Sequence, residues 1–457
     1  MPETLRRHLW LIAFILFCST GTLLAGWQAR SWGDGLSPVD AYSEANALRE
    51  VDGFRAQGLT HDAGLGNVLF GPRYLEHGFA ASSEDRVHSV TPGGIYTHYP
   101  PGPEYLLYLS EAVFGPEPVW RLRLLPLACS GAAMIFFGLS LRHRFGPLAG
   151  WLALAASLAV VPLHDANSSI HFLGYALALL LVEIGIAIGH DRSRVPFALL
   201  AFAQGWLSFD YVFLVVLAPL AVELALWRTC PRHWPRLRLA AGRCAFAAAG
   251  FTFAHALHFG EVWAFYGSLG DAVADLRNSA RYRANGQEMT DAAQRLMTAV
   301  KLLQWYVISP CPVSIPFWRP VQDVCTLPSF RVLGLTLGPW WLLVAVISLV
   351  DDAWRRVRCL SQREFLRDWY ILGVIGIASS CVWWVVMQGH SLVHVHLLYR
   401  HLNVCFLLWT MFLAVRMAPS VEHQLAKLRL SSFLRGLTYT AGIMRIGRHG
   451  PADGRPS

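Results

Sequence analysis

The sequence predicts an all-α polytopic membrane protein of about ten transmembrane helices. Of its 457 residues, 54% are hydrophobic and only 15% charged, where soluble domains carry roughly 25% charged residues. Apolar stretches of spanning length recur along the chain. The arginines gather in short runs between those stretches, on alternate sides, as topology determinants do. This placement argues against nucleic acid as a partner, which the net charge of +8 would otherwise suggest.

The first span is Leu9 to Trp27, behind Arg6-Arg7. Ala25-Gly26 would suit a cleavage site, but the apolar run is longer than a secretory signal needs, so an uncleaved helix is expected. Further spans are expected over Leu124–Leu141, Pro147–Pro162, Phe172–Ile188, Leu239–Leu257, Leu333–Val350, Tyr370–Met387 and Leu402–Met417. The stretch Pro196–Trp227 has basic flanks on both sides (Arg192 and Arg194; Arg228, Arg232, Arg236 and Arg238). It must therefore cross an even number of times, as a hairpin turning near Ser208-Phe209-Asp210. Both termini then fall inside, and two long loops, about 28–103 and 258–331, fall outside. The segment Asp271–Leu303 in the second loop reads as a polar helix. Cys311 and Cys325 share that loop, where a disulfide would suit an oxidising compartment. The remaining cysteines show no zinc spacing. After a membrane domain over 1–421, residues 422–457 form a basic cytoplasmic tail. Within it, His423–Ile446 reads as an interfacial amphipathic helix or a disordered basic segment.

Polar residues that bear chemistry gather on the outer face. Asp40 and Glu44 stand four residues apart at the start of a predicted short helix, so they share one helical face. They suit either a general base with an electrostatic partner or a capped turn with a solvated Glu44. Tyr42 lies between them. Pro100-Pro101 holds the chain extended and presents His98 and Tyr99 at the interface, with a helix beginning near Pro103. His164 and Asp165 mark one short outer turn and Asp210 another; an ionisable group so close to an apolar region needs a partner. Last, His390, His394, His396, Arg400 and His401 crowd the mouth of the final span. His390 and His394 have the helical spacing of a metal pair, so a divalent metal is one occupant considered. The other is a phosphate, with Arg400 as its fork.

This order of features resembles the lipid-linked-sugar glycosyltransferases of the GT-C class, which include protein O-mannosyltransferases and lipid A aminoarabinose transferases. Asp40-Ala41-Tyr42-Ser43-Glu44-Ala45 is similar to the acidic stretch opening that family's first outer loop. Ala41 here follows Asp40 where the family commonly has Glu. His98-Tyr99-Pro100-Pro101 resembles its His-Pro-Pro element, with Tyr99 inserted. The likeness extends over roughly Trp10–Leu226 and, beyond that, only in layout. It implies a polyprenyl-phosphate sugar donor held among membrane lipids, and a glycan, lipid or protein acceptor. It implies catalysis by Asp40, with Glu44 as its substitute, and donor phosphate binding by Arg400, His396 and His401. The pocket would comprise Tyr42, His98, Tyr99, His164, Asp165, Asp210, His390 and His394, with no resident metal assigned. The implied location is a bacterial inner membrane with the site facing the periplasm. A proton-coupled transporter or lipid flippase is the competing class. It needs polar residues at both faces and commonly shows internal repeats, and the sequence shows neither. A non-catalytic membrane scaffold is a third.

Overall fold

A computed structural model gives the fold. It describes residues 3–31, 33, 35–37, 41–71, 73, 91, 93–148, 150–151, 169–189, 193–226, 233–285, 329–332 and 335–339. The helices are α1 (Glu3–Ser31), α2 (Ala41–Gln57), α3 (Gly102–Phe114), α4 (Leu124–Phe145), α5 (Phe172–Gly189), α6 (Val195–Leu207), α7 (Val212–Leu226), α8 (His233–Tyr266) and α9 (Leu269–Asn285). Short 3-10 turns cover His61–Gly64 and Val119–Arg121.

Helices form where apolar runs are bounded by breakers. Pro103 sits in the first turn of α3 and Pro196 in that of α6, positions at which a missing N–H costs nothing. The turn between α6 and α7 falls at Ser208-Phe209-Asp210, with the Asp210 N–H donating to Ser208 Oγ at 3.0 Å. Among the described residues, Val119–Phe145 and Phe172–Gly189 are long and apolar enough to cross a membrane by length and composition. His8–Thr20, Val195–Leu207 and Val212–Glu223 are shorter apolar helices. α8 has 34 residues, ~51 Å at 1.5 Å per residue, against a hydrocarbon core of ~30 Å.

One expectation fails. Within the span expected over Leu333–Val350, Leu335–Pro339 (β2) is a strand paired antiparallel with Ser329–Val332 (β1), with Val332 opposite Leu335 and Arg331 opposite Thr336. Gly334, Gly338 and Pro339 are poor helix formers, and Val332 and Thr336 prefer extended backbone. Most of Pro147–Pro162, the rest of the Leu333–Val350 stretch, the two later expected spans, the Cys311–Cys325 pair and the basic tail lie outside the described residues.

The main core joins α1, α4, α5, α6, α7 and α8 through Phe14, Phe137, Ile184, Phe197, Val222 and Phe251 among others. α8 lies along α6, α4 along α5, and α1 against α4. Small residues set the α6–α8 approach. A Cβ on Gly250 would overlap the carbonyl oxygen of Ala198, and one on Gly205 would touch the Ala254 Cβ at 3.0 Å. Helices that cannot gain by apolar burial alone associate through such close backbone contact. Around the outside, Leu16 and Leu23 on α1, Leu199 on α6 and Phe253 on α8 are each more than half exposed. In water such a rim is an aggregation liability; in lipid it is the solvent-facing side.

Two smaller cores sit at the end of the bundle where α5 begins and α8 finishes. Leu48, Val51, Leu107, Leu122 and Ile170 fasten α2 and α3 to the starts of α4 and α5. Leu65, Ile95, Val262 and Ala272 fasten the loop chain to the end of α8 and to α9. Between them these cores bring distant parts of the sequence to one end.

Candidate active site

Glu44 anchors this end. Its carboxylate is fully buried and paired with Arg123, Nη1 to Oε1 at 2.6 Å and Nη2 to Oε2 at 2.8 Å. It also accepts the backbone N–H of Ser37 at 2.7 Å and of Ile170 at 3.1 Å. Arg123 Nη2 donates further to the Gly35 carbonyl at 3.2 Å. One carboxylate thus ties the chain before α2, α2 itself, the residue before α4 and the lead into α5. Four charge-assisted hydrogen bonds account for a buried anion that would otherwise be too costly to keep. Both Glu44 oxygens are thus engaged by protein partners.

Six residues along α2, about a third of the way round the helix from Glu44, Glu50 is buried beside Glu104 of α3 and His171 at the head of α5. His171 Nε2 lies 3.4 Å from Glu104 Oε1. Burial, reinforced by the charge of Glu104, raises the Glu50 carboxyl well above the usual carboxylate range, with His171 and Arg49 opposing. Arg49, also buried, donates to Asn46 Oδ1 at 2.8 Å. Gly66 is needed here, since a Cβ would overlap the Glu50 side chain. Tyr105 closes the cluster, its hydroxyl donating to the Gly64 carbonyl at 2.7 Å.

A third group is built on the extended segment before α3. Tyr99 stacks on Phe209 at 4.4 Å and on Tyr96 at 5.8 Å, and its hydroxyl donates to Asp210 Oδ1 at 3.3 Å. His98 Nε2 lies 3.6 Å from Asp275 Oδ1 on α9. Burial works against the Asp275 charge, yet hydrogen bonds from His98, Thr97 and Tyr266 hold its carboxyl below the usual range. His258 near the end of α8 stands between two acceptors, with Nε2 3.0 Å from the Thr97 carbonyl and Nδ1 3.2 Å from Glu261. The result is an aromatic shelf with an acid at its inner edge and an imidazole–carboxylate pair at its outer edge.

The structure therefore brings together His98, Tyr99 and Asp210, while Glu44 pairs with Arg123; Tyr42 is on the exposed side of the first turn of α2. Asp40, His164, Asp165, His390, His394, His396, Arg400 and His401 lie outside the described residues. Among the described residues, no group of three His, Cys, Asp or Glu side chains is placed to hold a metal ion. Sequence reasoning missed Glu50, Glu104, His171, Asp275 and the His258–Glu261 pair. Glu44, Ala47, Val51 and Phe54 recur at helical spacing, which marked a buried face of α2; Glu50 beside it was the available signal.

Charge is also buried at the other end. Glu183 lies ~17 Å along α5 from Phe172, Glu223 ~17 Å along α7 from Val212, and Arg243 ~22 Å along α8 from His258. All three are nearly or fully inaccessible. Polar residues are thus not confined to one face, contrary to the sequence reading.

No protein-family sequence profile matches the chain, and no curated protein matches it in sequence. Among solved structures, an apo oligosaccharyltransferase of Archaeoglobus fulgidus is similar over 98% of this chain, at 16% identity and a TM-score of 0.42. The chain spans 57% of the length of that protein's chain.

Proposed function

We propose that the protein transfers a sugar from a polyprenyl-phosphate donor to a hydroxyl acceptor at the outer face of a membrane. The observation that supports this reading most is the meeting of three separate segments at one end of an apolar bundle. These are the start of α2, the Tyr96–Glu104 stretch and the Asp210 turn, the segments that carry the motifs similar to GT-C enzymes. Asp40, the residue before α2, takes the proton of the acceptor hydroxyl. The hydroxyl oxygen forms its bond to the anomeric carbon as the bond from that carbon to the phosphate oxygen breaks. General-base assistance of this kind contributes roughly 10²–10⁴-fold. Arg400, with His396 and His401, neutralises the departing polyprenyl phosphate. The Tyr96–Tyr99–Phe209 shelf offers a stacking surface to a sugar ring or isoprenoid. Asp210 and the His98–Asp275 pair bound the pocket, and Glu44 with Arg123 fixes the helix that follows the base.

The test is transfer itself. Purified membranes are given radiolabelled polyprenyl-phosphate sugars, and label is expected in an acceptor at the outer face. Absence of transfer from every such donor would reject the reading. The second reading, a transporter or flippase, is favoured by one observation: the buried charges Glu183, Glu223 and Arg243 in the opposite half of the bundle. It predicts movement of lipid or solute across sealed vesicles with no new glycosidic bond.

A further inference from the structure

One side of α9 is fixed by contacts. Ala272 packs with Leu65, Ile95 and Val262, and Asp275 Oδ1 lies 3.6 Å from His98 Nε2. Leu269, Val273 and Leu276 stand outside that face, each about half exposed. Steps of four and three residues align them in one stripe along the helix. Arg277 and Arg281 follow Val273 at steps of four, so they border the stripe, and both are exposed. Asp271 and Asn278 lie on the opposite side of the helix. An apolar stripe bordered by arginines, with polar groups opposite, suits a helix lying in a membrane interface.

α8 sets the level at which α9 begins. The exposed positions of α8 from Ala245 to Ala264 are all uncharged, Phe246, Phe253, Leu257 and Trp263 among them. That stretch measures ~30 Å at 1.5 Å per residue, the thickness of a hydrocarbon core. The apolar outer surface thus ends at Trp263, a residue type enriched at the membrane boundary. The chain then turns at Gly267, whose φ of +65° favours glycine, and α9 starts at Leu269. The stripe on α9 therefore continues the apolar surface of α8 at its outer edge. α3, at the same end of the bundle, likewise exposes Leu109 and Val113, four residues apart, while Leu107 and Ser110 are buried.

We propose that α9 lies along the outer boundary of an anionic bilayer. Leu269, Val273 and Leu276 rest against the acyl chains, and Arg277 and Arg281 contact lipid phosphates. The His98–Asp275 contact then ties the segment bearing the aromatic shelf to a helix at the membrane surface. The proposal requires α8 to cross the bilayer but requires no transfer reaction, so the two readings fail separately.

The experiment uses the full-length protein in nanodiscs of equal phosphatidylglycerol and phosphatidylcholine. Three variants carry a photoreactive side chain: Leu276→p-benzoyl-Phe, Asn278→p-benzoyl-Phe and Phe253→p-benzoyl-Phe. After irradiation, mass spectrometry of the digested protein counts lipid adducts at each position. Lipid is expected on the first and third variants and not on the second. An arginine at an anionic surface favours anionic lipid about fivefold. Phosphatidylglycerol adducts at position 276 should therefore exceed phosphatidylcholine adducts about fivefold or more, and Arg277→Gln with Arg281→Gln should bring the two level. Lipid at position 253 but only protein crosslinks at 276 would overturn the proposal and show that protein covers the stripe. Adducts as frequent at 278 as at 276 would overturn it too, as would equal yields of the two lipids with both arginines in place. Lipid at none of the positions would remove α8 from the bilayer, and the proposal with it.

Discussion

Arg123 and Glu44 depend on each other because neither touches water. Arg123→Ala strands a buried carboxylate, and breaking such a pair costs about 3–5 kcal/mol. A chemical-denaturation midpoint should fall accordingly, and a drop below ~1 kcal/mol would contradict the pairing. Replacing both partners with leucine should cost less than Arg123→Ala alone. Glu50 makes a different prediction. Its folded carboxyl holds its proton to higher pH than the unfolded chain does, so its contribution is fully present at low pH and is lost as pH rises through the folded value. Glu50→Gln removes that loss. The gap in thermal midpoint, variant minus wild type, should therefore widen in the variant's favour from about pH 4.5 upward; a gap constant with pH would contradict it. Neither relation was legible in the sequence. Glu44 and Arg123 are 79 residues apart, and nothing local marks one as the other's partner. Tyr99 and Asp210 are 111 residues apart, although each was visible as a polar group beside an apolar stretch.

Element positions were the most legible part. Periodic apolar runs with Pro and Arg at their ends marked α1, α4, α5, the α6–α7 hairpin and α8. The hairpin followed from charge alone, since basic flanks on both sides require an even number of crossings. Leu335–Pro339, expected within a helix, is a strand, because composition cannot separate a short apolar strand from the start of an apolar helix. The short helix expected after Asp40 is present as α2, but Glu44 is buried rather than solvated, as are its neighbours to Phe54 save Asp52. Helix pairing was not legible, although its cause can be tested. Gly250→Val inserts side-chain atoms where Ala198 allows none, so α6 and α8 must separate. A destabilisation of about 1–3 kcal/mol is expected from such overpacking. An unchanged thermal midpoint in detergent would show that the two helices do not cross there.

Across the whole molecule, one end gathers acids, imidazoles and aromatic rings, and the other gathers arginines. The apolar rim between them is what a bilayer would cover. Of the residues the sequence assigned to one face, His98, Tyr99 and Asp210 lie together here. The sequence did not foretell the second gathering, because Glu223 and Arg243 sit inside helices whose average composition is apolar or mixed. The order of the outer segments along the chain then becomes the basis for a catalytic reading, with the residue before α2 as its centre. The most direct test compares sugar transfer from a polyprenyl-phosphate donor by wild type, Asp40→Asn and Glu44→Gln at equal membrane insertion. The account predicts that Asp40→Asn loses transfer by about 10²-fold or more, the share of a general base. Glu44→Gln should lose folded protein in proportion to activity, since its carboxylate is buried against Arg123 and two backbone N–H groups. Transfer by Asp40→Asn at the wild-type rate would contradict the assignment of catalysis to the first outer segment.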